Sequence, residues 1–274
     1  MPIAMNTITI KQAPFLQKLR LISEAGFAGV GLWMAEIEEY LKESNAKPIK
    51  ELLAELRLTP VEMQSLHEWQ FLSGSERKQA FGEAKDFFTR FGKLGIDCPV
   101  VAVATYERTG PMSTAVKDFR DLCSLAGDFG VRVMFEFVGW SKQFHDLKPS
   151  WEVVGEANCA NGGMLIDTFH FVKAGSTIED LKQVPMAKVF LVHLSDAKPL
   201  SLGFKEQSRG FRFHPGEGEA PLKEIVGCFA DGGYEGFYCV EIFNKAYWAE
   251  DPATVVRQSK KSLDALFGPF VYAL

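Results

Sequence analysis

The chain has 274 residues, 47% of them hydrophobic and 24% charged, with 23 Phe and a formal net charge of -5 at pH 7. This is ample apolar material for one large buried core. No stretch approaches the ~20 uncharged apolar residues of a spanning helix, and a net negative chain without a Lys/Arg block argues against a broad phosphate-binding face. The expected partner is a small molecule, with neither nucleic acid nor membrane involved. The five cysteines, Cys98, Cys123, Cys159, Cys228 and Cys239, form no C-x-x-C pair and read as reduced thiols. The opening MPIAMNTITIKQ lacks the basic-then-apolar pattern of an export signal, so a cytoplasmic location is expected.

In chain order, short β-branched or apolar runs alternate with longer amphipathic stretches. The strands are expected in IAMNTIT, AGVGLW, PVEMQSL, PVVAVAT, VRVMFEFV, GGMLIDT, KVFLVHL and GFYCVEIF. Between them lie helical patterns such as APFLQKLRLISEAG, ERKQAFGEAKDFFTRFGKLG, TAVKDFRDLCSLAGDFG and PATVVRQSKKSLDALFG, several closing on Gly. No linker or low-complexity segment interrupts the alternation. Strand–helix units repeated in this way predict an α/β fold, a single (β/α)8 TIM barrel, with residues 1–274 as one domain. The stretch from Ser195 to about Glu219 exceeds an ordinary turn and is a candidate functional loop.

A barrel of this kind builds its site at the C-terminal ends of its strands. Four consecutive runs carry a polar residue there: Glu136 in VMFEF, Asp167 in MLIDT, His193 in FLVHL and Glu241 in YCVEI. Two positions earlier, on the same face, stand Met134, Leu165, Leu191 and Cys239, all apolar. Each polar residue also has an ordinary reading: Glu136 paired with an arginine, Asp167 as a helix N-cap, His193 as a core histidine, Glu241 on a backbone amide. Their common register favours a shared site. Three converging carboxylates would raise one another's pKa and be costly to bury, and the neighbouring sequence places no Lys or Arg beside them. A divalent metal resolves the charge. Oxygen-rich ligation with one imidazole suits Mn(II), expected first, or Mg(II), Co(II) or Zn(II).

These residues, with MNTIT in the first strand, FEFVG in the fifth, LIDTFHF in the sixth, KVFLVHL in the seventh, RFHPGEG in the long loop and VEIF in the eighth, resemble the xylose isomerase-like barrels. That family includes sugar isomerases and epimerases, hydroxypyruvate isomerase and apurinic endonuclease, and the likeness is nearest to its inosose isomerases. The resemblance implies that Glu136, Asp167, His193 and Glu241 bind one metal ion per chain, and that Glu136 and Glu241 also move the proton. It further implies that His170 and Arg212 contact substrate oxygens. Relatives in this family are often oligomers, which leaves a homo-oligomer open.

The implied activity is isomerisation or epimerisation of a polyhydroxy ketone, an inosose or a ketose, through an enediolate. The alternative is a dehydratase or lyase acting on a keto-sugar or keto-cyclitol, because an enediolate can also expel a β-hydroxyl. A nuclease reading fails for want of the extra His and Asp ligands, since the chain has 5 His and Arg212 stands where an Asp-x-His pair would begin. Two departures bear on the substrate. Many relatives carry a glutamate at the end of the second strand, where this chain has Gly31 and Trp33, and Trp140 and Ser141 replace a His-Pro pair after the fifth. His67 reads equally well as core packing, and Glu217 and Glu219 as solvated loop charges.

Overall fold

The structure, a computed structural model, describes residues 1–271. Among them eight parallel strands close into a barrel in sequence order: β1 (Ile3–Asn6), β2 (Gly29–Trp33), β3 (Thr59–Leu66), β4 (Val100–Val103), β5 (Val133–Glu136), β6 (Gly162–Asp167), β7 (Val189–Leu194) and β8 (Tyr238–Val240). Closure comes from β1 pairing with β8, with Ala4 opposite Cys239. It follows from the composition of these runs: each is short, rich in Val, Ile, Leu or Met, and buried on both faces, as a strand between a barrel interior and a ring of helices must be. All eight expected strands are present, so the single (β/α)8 barrel expected from the alternation is the fold.

The helices turn apolar stripes to the sheet. In Phe15–Glu24 the buried residues are Phe15, Lys18, Leu19 and Ile22, and in Gly74–Gly92 they are Ala84, Phe87, Phe88 and Phe91, the three-and-four spacing of one helix face. Gly26, at φ +82°, follows the first of these helices and adopts the left-handed conformation that ends it. No helix among the described residues is long and apolar enough to cross a membrane.

Two details differ from the sequence expectation. The first strand stops at Asn6 instead of running through Thr9, because the Asn6 side chain accepts from Ile8 N and starts a tight turn over Thr7–Ile10. The long segment after β7 is ordered: it holds a short helix, Phe204–Ser208, and is pinned across the barrel mouth by bridges between Asp196 and Phe213 and between Phe211 and Asn244. Arg212 N donates to Phe243 O at 3.0 Å, and Asn244 Nδ2 donates to Arg212 O at 2.7 Å. That loop therefore delivers one arginine to the end of β8.

Candidate metal centre and active site

Barrel register brings the four strand-end residues together. Glu136 ends β5, Asp167 ends β6 opposite His193 in β7, and Glu241 directly follows β8. Beneath them Met134, Leu165, Leu191 and Cys239 are fully buried, the packed layer expected under a polar ring. One donor atom from each of Glu136, Asp167, His193 and Glu241 lies within 4.8 Å of the others.

Asp167 serves two roles with two oxygens. Its Oδ1 accepts from Phe169 N at 2.8 Å and His170 N at 3.3 Å, capping the helix Thr168–Lys173, while Oδ2 faces the cluster and accepts from Arg212 Nη1 at 2.7 Å. The helix-cap reading of LIDTFHF is met by Oδ1 alone, which leaves Oδ2 facing the cluster. Burial opposes the charged carboxylate, but the Arg212 guanidinium reverses this and holds the Asp167 carboxyl at about 2.

Arg212 overturns one expectation: a cation does stand beside these carboxylates. It is 3% exposed, bonds Asp167 as above, and reaches Glu241 Oε2 at 3.2 Å. Its other nitrogen, Nη2, donates to Ser208 Oγ at 3.0 Å and lies 3.3 Å from His170 Nε2. The guanidinium arrives from a loop remote in sequence, so the residues flanking each carboxylate do not reveal it. Arg212 bonds two of the three converging carboxylates, Asp167 and Glu241, and makes no bond to the third, Glu136. The Glu136 carboxylate accepts no hydrogen bond among the described residues; burial, then the Glu241 carboxylate, pushes its pKa well above the usual range.

His193 lies between carboxylates. Its Nε2 is 2.9 Å from Glu62 Oε1 and 3.0 Å from Oε2. Its Nδ1 is 3.3 Å from Glu241 Oε2 and 4.0 Å from Asp167 Oδ2, yet is not aligned with either and has no hydrogen-bond partner. Burial lowers the imidazole pKa, and the Glu62 and Glu241 carboxylates more than reverse this, so it stands well above the ordinary value.

A buried nitrogen without a partner, a glutamate without a partner, and two further carboxylates around them form a donor set suited to a hard or borderline divalent cation. The fit is to Glu136, Asp167, His193 and Glu241. A second close group, Glu62, His193 and Cys239, is a poorer one, because burial pushes the Cys239 thiol well up and Glu62 is already hydrogen-bonded.

Above the cluster opens a cavity of about 170 Å³. Glu136, His170, Arg212 and Glu241 line its floor. Trp33, Tyr106, Trp140 and Phe243 form apolar walls, and His67 and Arg209 stand in its lining. His170 is buried between Trp140, edge-on at 5.1 Å, and Phe204, stacked at 6.0 Å. Burial drives its pKa down to about 4, so it faces the cavity as a neutral imidazole. The residues of both sequence departures, Trp33 and Trp140, are cavity walls. His214 instead stacks on Tyr247 at 4.5 Å, outside this lining, and Glu217 is exposed.

Three residues escaped the sequence reading: Glu62, Asn6 and Gln64. Asn6 Nδ2 donates to Glu62 Oε1 at 2.6 Å and to Glu241 Oε1 at 3.3 Å, and Gln64 Nε2 donates to Glu62 Oε2 at 2.9 Å. The signal was available in PVEMQSL, where Glu62 and Gln64 share one face of an otherwise apolar strand.

A closed eight-stranded α/β barrel with a carboxylate–imidazole cluster at the strand ends has the fold and site of an enzyme. Residues 19–266 match the family described as Xylose isomerase-like TIM barrel, and the chain belongs to that family. It is 26% identical over 234 residues to a 3-dehydroshikimate dehydratase of Pseudomonas aeruginosa, covering 85% of this chain but only 37% of the length of that relative. It is 23% identical over 269 residues to an inosose isomerase of Bacillus velezensis, covering 96% of this chain and 95% of that protein. Among solved structures, the IOLI protein with a binding zinc atom superposes with a TM-score of 0.89 at 22% identity, covering 98% of this chain and 99% of that one.

Proposed function

We propose that the chain is a divalent-metal-dependent isomerase or epimerase of a polyhydroxy ketone, an inosose or a ketose, working through an enediolate. The observation that carries this reading is the pairing of Glu136 and Glu241 on the floor of one cavity, next to the unpartnered Nδ1 of His193. Glu136, Asp167, His193 and Glu241 would hold the ion, Mn(II) in the first instance, with Mg(II), Co(II) or Zn(II) as other candidates. When bound, such an ion polarises a carbonyl and the hydroxyl beside it, which acidifies the C–H between them.

The chain's own groups do the rest. Glu136, with no protein donor on its carboxylate, is free to accept the substrate proton, and Glu241, held at Oε1 by Asn6 and at Oε2 by Arg212, carries the return proton. Arg212 and His170 anchor substrate oxygens. Trp33, Trp140 and Phe243 exclude water around them, which strengthens every charged contact in the cavity. The substrate is a small molecule, the expected location cytoplasmic, and the chain a candidate homo-oligomer.

A second reading, dehydration of a keto-sugar or keto-cyclitol, is favoured by the similarity to the 3-dehydroshikimate dehydratase of Pseudomonas aeruginosa, while Trp140 and Ser141 alter the pocket wall expected of an inosose isomerase. The test is a metal analysis of the purified protein with a screen of inososes, ketoses and keto-cyclitols. About one divalent ion per chain, with turnover lost to a chelator, is the expected outcome; turnover that survives complete metal removal overturns the reading.

A further inference from the structure

We propose that Glu62 is a positioning residue for the metal centre: it holds the Nε2–H of His193 and thereby presents Nδ1 to the ion. This rests on the metal-dependent reading above and adds to it a residue outside the ligand set.

Glu62 lies within β3 and is fully buried, where an unpaired carboxylate would be severely destabilising. Its two amide contacts fix its orientation, with Cys239 Sγ 3.9 Å from Oε1. Asn6 donates to Oε1 and Gln64 to Oε2, so the plane of the carboxylate is fixed from two sides before His193 meets it. His193 Nε2 then sits nearly equidistant from both oxygens, at 2.9 Å and 3.0 Å. A carboxylate with two donors already on it is an acceptor, so the proton between the two groups belongs to the imidazole. Metal binding takes the neutral ring, and when Nε2 keeps its proton against Glu62 the lone pair is left at Nδ1, the nitrogen that faces Asp167 and Glu241 without a hydrogen bond.

The backbone makes room for this. Gly31 in β2 lies beside Glu62 in the register, and a Cβ there would fall 2.2 Å from Glu62 Oε1 and 2.9 Å from Asn6 Nδ2. The absence of a side chain at position 31, one of the sequence departures, is therefore what admits the carboxylate on the neighbouring strand. Asn6 also spans Glu62 and Glu241, so the same network steadies a ligand carboxylate and the ligand histidine together.

The test uses the full chain and Zn(II) or Mn(II) as probe. Glu62→Gln keeps the shape but can place an N–H against Nε2, which forces the ring proton onto Nδ1. Metal affinity, measured by competition with a chelator, is expected to fall roughly 10–100-fold. Gly31→Ala displaces the carboxylate without removing it and should weaken metal in the same direction. ¹⁵N NMR of the Zn(II)-loaded wild-type protein should show the His193 proton on Nε2. Wild-type affinity in both variants, or a ring proton on Nδ1 in the loaded protein, overturns the proposal while leaving the metal reading intact. A wild-type chain that binds no divalent ion overturns both.

Discussion

Arg212 Nη1 lies 2.7 Å from Asp167 Oδ2, so an arginine expected to touch substrate is also bound to an expected metal ligand. The relationship separates two effects of removing it. Arg212→Met leaves Asp167 and Glu241 without their guanidinium in a buried site, where breaking such a pair costs roughly 3–5 kcal/mol. In metal-free protein the variant should therefore melt well below the wild type. Divalent metal supplies the missing positive charge and should narrow the gap. Thermal melts with and without saturating metal check this; an undiminished gap in metal would show that Arg212 does not share the carboxylates with an ion.

His193→Ala should act in the opposite way. It removes a donor whose Nδ1 has no other partner, so metal affinity should drop by on the order of 10² or more, beyond the loss expected for a supporting residue. Arg212→Met should retain metal while impairing substrate use. Equal metal loss in the two variants, measured by equilibrium dialysis, would contradict this division of roles.

The pH dependence of the metal-free fold follows from His170, whose pKa is driven by burial from 6.5 to about 4. The unfolded chain takes up this proton more readily than the folded one, so the stabilisation from His170 is present above pH 6.5 and is lost as pH falls through about 4. Asp167, held at about 2, has the same sign but a lower window, from 3.8 downward. In chelator-treated protein His170 should therefore remove stability between about pH 6.5 and 4, by an amount on the order of a few kcal/mol, while the raised Glu136 carboxyl acts with the opposite sign over the same range. His170→Phe should remove only the first effect, so that its melting temperature rises relative to wild type as pH falls through this window. An unchanged slope in the variant would assign the titration elsewhere.

Much of this site could be read from the sequence because barrel strands alternate. Glu136, Asp167, His193 and Glu241 each interrupt an apolar run at the same height, and a two-residue period places them over Met134, Leu165, Leu191 and Cys239 without coordinates. What stayed hidden depends on approach through space. Arg212 is delivered by a loop whose path is set by the Asp196–Phe213 and Phe211–Asn244 bridges, which no local period encodes. Glu62 lies mid-strand, and its significance depends on a glycine in the adjacent strand and a histidine across the barrel. β1 ends before its apolar run does for a local reason, since the Asn6 side chain competes with strand pairing by accepting from Ile8 N.

The choice between isomerase and dehydratase turns on the second proton. Glu136 and Glu241 both face the cavity, one without a protein hydrogen bond and one held by Asn6 and Arg212, so proton removal and proton return can use separate carboxylates. In deuterated water an isomerase should give a product of unchanged atom composition, with deuterium at the carbon that was formerly a carbonyl wherever the carboxyl protons exchange before return. Glu241→Gln removes a proton acceptor and a charged ligand together, and should cut turnover by a factor on the order of 10² or more. Mass spectrometry of the product distinguishes the outcomes: loss of one water with no isomer formed assigns the dehydratase, in which the enediolate expels a β-hydroxyl before any proton returns to carbon. Full activity in the Glu241→Gln protein would instead refute the two-glutamate mechanism, because no other carboxylate lining the cavity stands opposite Glu136 among the described residues.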